Sequence, residues 1–175
     1  MTVGCPCDDE TCDDVHAHDV TGTFTLELPP LAQMIGRVSD ANNPQFYDAT
    51  VIAAVNAAAA LLNSGFVAVY SGSQPALDGS LTGTQLATAT FSATAFPTAT
   101  ASGGTVTATA NTITSGTIAN TGTAGYMALL KSDGSTVVAT GSVGTSGADL
   151  NLNTLSFVSG ASFAVTAGAI TQAQT

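Results

Sequence analysis

The stretch Gly125–Val143, GYMALLKSDGSTVVATGSV, decides the fold class. Two strand-like runs flank Ser132-Asp133-Gly134-Ser135, and Asp-Gly is a preferred pair for the tight turn of a β-hairpin. A type I′ turn is the expectation there, with positive φ at both Asp133 and Gly134. On either side of this hairpin the pattern stays β. Phe66–Gly72 (FVAVYSG) reads as a short buried strand that ends in a Gly/Pro turn. Leu86–Ala93 (LATATFSA) and Gly104–Thr114 (GTVTATANTIT) alternate small apolar residues with threonine, as a pleated surface favours. Leu150–Val158 and Ala161–Gln172 add further strands. Seven or eight short strands separated by turn residues predict a mainly β chain, an antiparallel β-sandwich of jelly-roll-like kind.

Toward the N-terminus the period changes. Phe24, Leu26 and Leu28 alternate with Thr25 and Glu27 as in a half-buried strand, which Pro29-Pro30 ends. Val51, Ile52, Val55, Ala59 and Leu62 then recur at helical spacing within an alanine-rich run. One α-helix is predicted here, starting at Asn43-Pro44 or capped by Asp48, with Gly65 as its left-handed stop. The expected organisation is an acidic, extended arm at residues 1–20, a strand, loop and helix at 21–65 that pack on the sandwich, and the sandwich itself at 66–175.

Charge narrows the function classes. The chain has 45% hydrophobic but only 8% charged residues, against about 25% charged in an ordinary domain. The net charge is −10, and Arg37 and Lys131 are the two fixed cations. Affinity for nucleic acid or an anionic membrane surface comes mainly from Lys and Arg, so neither is an expected partner. No apolar run reaches membrane-spanning length, and the N-terminus lacks the basic-then-apolar pattern of a secretory signal. After Glu27 there is no His, Cys or Glu, and the remaining acids are the scattered Asp40, Asp48, Asp78, Asp133 and Asp149. Acid–base or nucleophilic chemistry needs a titratable group beside a base, an acid or a metal, so no enzyme is expected.

The arm is different. Cys5, Cys7, Cys12, His16 and His18 hold every thiol and imidazole of the chain in the spacing C-x-C-x4-C-x3-H-x-H. Thiolate and imidazole are the ligands zinc prefers, and three cysteines plus one histidine would close a tetrahedral structural site. Asp8, Asp9, Glu10, Asp13 and Asp14 around them favour a dication. C-x-C departs from the usual C-x2-C of zinc knuckles. A disulfide with one spare thiol and a tail held by a partner without metal stay open beside the zinc site.

From Ala49 onward the chain resembles a group of small proteins encoded by tailed bacteriophages and prophages. The resemblance lies in the helix leading into GFVAVYSGSQPALDG (65–79), in LTGTQLATATFSATAF (81–96) and in TGTAGYMALLKSDGSTVVATGSVGTSGADLNLNT (121–154). It implies a particle component without catalytic residues. The expected role is a virion structural protein on the outer surface of the particle, made in the host cytoplasm. It would bind the major capsid protein and copies of itself, for instance as a trimer, in the manner of a capsid cement or decoration protein. A tail or head–tail connector protein is the first alternative. A glycan-binding, adhesive β-sandwich is the second, disfavoured by the lack of Trp and the single Arg. The Cys/His arm lies outside the resembling region.

Overall fold

A computed structural model describes residues 18–28 and 46–173. Within them the chain forms β1 (Val20–Leu28), α1 (Asp48–Ala60), β2 (Phe66–Tyr70), β3 (Gln85–Phe91), β4 (Thr100–Ser102), β5 (Thr105–Thr109) and β6 (Ile113–Thr114). These are followed by β7 (Gly116–Thr117), β8 (Gly122–Thr123), β9 (Tyr126–Leu130), β10 (Val137–Gly144), β11 (Leu150–Leu152), β12 (Ser156–Phe157) and β13 (Ser162–Ala173). The protein is mainly β and sandwich-like, with one helix among the described residues. A long curled sheet runs in the order β4-β5-β13-β1-β11-β10-β9-β2-β3-β6, and β8 and β12 form a separate small ladder.

The pairing is mixed rather than wholly antiparallel. β1 lies parallel to β13 along its whole length, from Val20 opposite Phe163 to Leu28 opposite Gln172, and β10 is parallel to β11. Alternation along β1 predicts a strand with one buried face, which Val20, Gly22 and Phe24 provide, but it carries no information about neighbour direction. β1 is inserted between the C-terminal strand and β11, so the first and last described strands run side by side.

The curl closes on itself through five residues. Ile113 and Thr114 pair with Phe91 and Thr90 of β3, and two residues later Gly116 and Thr117 pair with Phe163 and Ser162 of β13. Gly116 sits so close to β3 that a Cβ would lie 1.9 Å from the Thr88 carbonyl oxygen. Inside the curl, Phe24 of β1 meets Phe91 of β3 edge-on, with ring centroids 6.0 Å apart at 81°. Phe96 packs on both, at 6.5 Å from Phe24 and 5.6 Å from Phe91. Gly168 of β13 leaves room for the Phe24 ring, since a Cβ there would come within 2.2 Å of it.

The helix covers one part of this core with Val51, Val55 and Ala59, and Leu62 follows just beyond it; Ile52 is half-buried. It starts at Asp48 as its first helical residue, after an extended Tyr47, so Asp48 is not the cap. The alternative start at Asn43-Pro44 lies outside the described residues. The left-handed residue after the helix is Ser64 (φ 55°), not Gly65. Gly65 is needed for another reason: a Cβ would fall 2.2 Å from the Leu130 carbonyl oxygen as β2 leaves the helix to join β9.

The central hairpin forms as expected, with β9 antiparallel to β10, but its turn is not type I′. Lys131 N–H donates to Thr136 O (2.9 Å) and Gly134 N–H to Lys131 O (3.0 Å). Gly134 has φ 70°, and Asp133 is not among the positive-φ residues. Two added loop residues let the Asp133 carboxylate accept from the Ser135 and Thr136 backbone N–H groups (2.8 and 2.7 Å), a side-chain turn that removes the need for positive φ at Asp133. Gly134→Val should therefore destabilise the protein by roughly 1–3 kcal/mol through strain at this one position. Thermal unfolding checks it; an unchanged melting temperature would refute the turn geometry.

Candidate functional site

Cys5, Cys7, Cys12 and His16 lie outside the described residues. Of the expected ligand set only His18 is described, exposed and two residues before β1. Among the described residues no group of three or more His, Cys, Asp or Glu side chains comes together. The next residue, Asp19, is fastened at both its backbone and its carboxylate. Its carbonyl accepts from Asn153 Nδ2 (3.0 Å), and Oδ1 accepts from Ser162 N–H (3.1 Å). The Cys/His-rich segment therefore joins the sheet at a clamped point.

Two carboxylates of the β region, Asp133 and Asp149, work within its own turns. Asp149 Oδ2 accepts from Ser142 N–H and Oγ–H (both 2.7 Å), and the Asp149 N–H donates back to Ser142 Oγ (3.1 Å), which ties the loop between β10 and β11. Asp133 accepts from the Thr136 hydroxyl as well as from the two backbone N–H groups, and these hydrogen bonds hold its carboxyl far below the usual aspartate range. A carboxylate engaged this way is a turn brace, not a proton donor.

The sequence reading missed a second buried face. β9 is buried along its whole length. Met127 and Leu129 enter the main core, whereas Ala68, Ala128 and Leu130 form a separate cluster with Phe66, Tyr70 and Leu81. The loop between β2 and β3 covers that cluster. Its base is closed by Ser71 N–H donating to Thr84 O (2.9 Å). Gln74 Nε2 donates to Thr140 Oγ1 (3.0 Å), and Tyr126 O–H donates to Thr82 O (2.6 Å) while accepting from Thr82 N–H (3.0 Å). Tyr70 stacks on Tyr126 at 5.3 Å and 13°. Burial pushes the Tyr70 phenol above its ordinary value, partly offset by a hydrogen bond from Gln85 Nε2 (3.0 Å). The unbroken apolar run YMALL was the available signal, because a strand apolar at every position is covered on both faces.

A shallow cleft of about 220 Å³ lies beside the helix, lined by residues that include Asn56, Asn63, Phe96 and Thr98. Its two asparagines already hold their own chain: Asn63 Oδ1 accepts from Ala95 N–H (2.9 Å) and Asn56 Oδ1 from Ala99 N–H (2.8 Å). They dock the 95–99 segment on the helix and set Phe96 into the core. No family model, curated protein or solved structure matches the chain.

The Asp133 brace has a pH signature. A carboxyl held below its ordinary value in the fold contributes stability above the unfolded value, about 3.9, and loses it as pH falls through the lowered folded value. Asp133→Ala should lower the melting temperature at neutral pH, and the gap to the parent protein should narrow progressively below about pH 4. A gap that stays constant into strong acid would show that the carboxylate does not brace the turn.

Proposed function

We propose that this chain is a structural component of a bacteriophage virion, a cement protein bound to the outer face of the capsid lattice. The observation that carries the reading is that three of the described carboxylates, Asp19, Asp133 and Asp149, are bound into strand ends and turns. The resemblance from Ala49 onward to phage-encoded proteins supplies the setting. A surface whose one described cation is Lys131 suits contact with protein neighbours and disfavours contact with packaged DNA.

Cement adds contacts to an assembled lattice and stabilises it by mass action. Particles of the encoding phage that lack the protein should assemble and then rupture at a lower temperature, and purified protein added back should restore the parent value. The protein should also be present in capsid-lattice numbers. Intact, heat-resistant heads that have lost their tails would overturn the capsid role in favour of a tail or connector position.

The arm serves as the anchor, and in this reading Cys5, Cys7, Cys12 and one of His16 or His18 hold a structural zinc ion. The donor set fits: three thiols and an imidazole close a tetrahedral site and leave no position open for catalysis. A closed site of this kind supplies on the order of 10 kcal/mol of folding free energy at neutral pH. Elemental analysis of the purified full-length protein should find about one zinc per chain, released on acidification because the thiolates must protonate, and lost in Cys12→Ser. Metal far below stoichiometry in the parent protein would leave a disulfide or a neighbouring subunit as the hold on the arm.

A further inference from the structure

The chain contains two Asp-Gly pairs, Asp78-Gly79 and Asp133-Gly134, and the fold treats them oppositely. Asp-Gly is the aspartyl sequence most open to intramolecular isomerisation. The backbone nitrogen of the glycine attacks the aspartyl Cγ, and no side chain on the glycine hinders the approach. A five-membered succinimide forms with loss of one water from the carboxyl group and the N–H proton. Water then adds to either ring carbonyl, which regenerates aspartate or gives isoaspartate, with the main chain rerouted through the side chain. The reaction is redox-neutral and needs only water.

At Asp133 each part of that reaction is obstructed. The carboxylate accepts from Ser135 N–H, Thr136 N–H and the Thr136 hydroxyl. The attacking nitrogen, Gly134 N, donates to Lys131 O at 3.0 Å, inside a loop closed by the Lys131–Thr136 backbone bond. Ring closure would have to break this set together. The carboxyl is also kept ionised, and the carboxylate is the poorer electrophile.

Asp78 sits at the tip of the loop that covers the second buried face. Its neighbour Leu77 is 94% exposed, and Asp78 has a left-handed φ of 60°, a conformation that costs a non-glycine residue energy. Among the described residues no hydrogen-bond donor meets its carboxylate, and Gly79 N is held by one bond, to Ala76 O at 2.8 Å. Rotation about the Asp78 Cα–C bond, which brings Gly79 N toward the carboxyl carbon, has that one backbone bond to break. We propose that Asp78-Gly79 is the site of spontaneous isoaspartate formation in this protein, and that the folded hairpin protects Asp133-Gly134 from the same reaction.

The test is incubation of the folded full-length protein in mildly acidic buffer. Isoaspartate is then located by peptide separation with electron-based fragmentation and by methyl transfer from an isoaspartyl methyltransferase. The expected result is isoaspartate accumulating at position 78 with position 133 unmodified, the two sites drawing level in denaturant, and Asp78→Ala abolishing the folded-state signal. Modification of 133 at a rate equal to or above that of 78 in the folded protein would overturn the proposal, as would an unmodified 78 under conditions that modify both sites in denaturant.

Discussion

The structure depends on the segment Ile113–Thr117 holding two distant strands at once. It pairs with β3 on one side of Ser115 and with β13 on the other. Without it the curled sheet would be open, with β3 and β13 each presenting unpaired backbone groups. Burying or exposing such an edge is costly: an unpaired buried donor or acceptor loses about 1–3 kcal/mol, and an exposed edge invites a second chain. Gly116 is the enabling residue, because nothing larger fits against the Thr88 carbonyl. The remaining strands at the ends of the sheet order, β4 and β6, are three and two residues long and offer little template for a further strand.

Closure brings the phenylalanines together. Phe24, Phe91 and Phe96 come from β1, β3 and the segment docked by Asn56 of the helix and Asn63 just beyond it, so the three rings join parts remote in sequence. Each buried phenylalanine contributes roughly 1.5–3 kcal/mol by leaving water, and each edge-on or tilted pair roughly 0.5–1.5 kcal/mol beyond that. These contacts form only once the chain has closed its long loops, so the rings reward closure without guiding it locally.

What the sequence revealed follows from the range of each signal. The hairpin around Asp133-Gly134, the helix face of Val51, Val55 and Ala59, and the strand FVAVY are local patterns of turn residue and period, and all were readable. The parallel pairing of β1 with β13 was not, since Phe24, Leu26 and Leu28 alternate identically whichever way the neighbour runs. The loop 72–83 read as a Gly/Pro connection, and only the tertiary contacts of Gln74, Leu81 and Thr82 make it a cover for β9. The Cys/His cluster was legible as donor chemistry alone, because closely spaced thiols and imidazoles suit a metal site, a disulfide with one spare thiol or a partner-held tail alike.

The scarcity of charge connects the fold to the proposed role. In the described residues the stabilising terms are burial, backbone ladders and side-chain hydrogen bonds to turns, of the kind Asn153, Asp149 and Asp133 make. Such contacts are short-ranged and barely screened by salt, whereas exposed ion pairs weaken as ionic strength rises. Threonine and serine on the outer faces offer hydrogen bonds to a neighbour without the cost of immobilising long charged side chains, about 0.5–1.5 kcal/mol for each rotamer-rich residue ordered at an interface. The carboxylates are concentrated instead in the first nineteen residues, six of the chain's twelve acids, beside all of its thiols and imidazoles. Shape and the proposed attachment are thereby separated along the chain: a body sparse in charge, held by contacts that salt barely screens, and an acidic segment that carries every thiol and imidazole and is the proposed anchor.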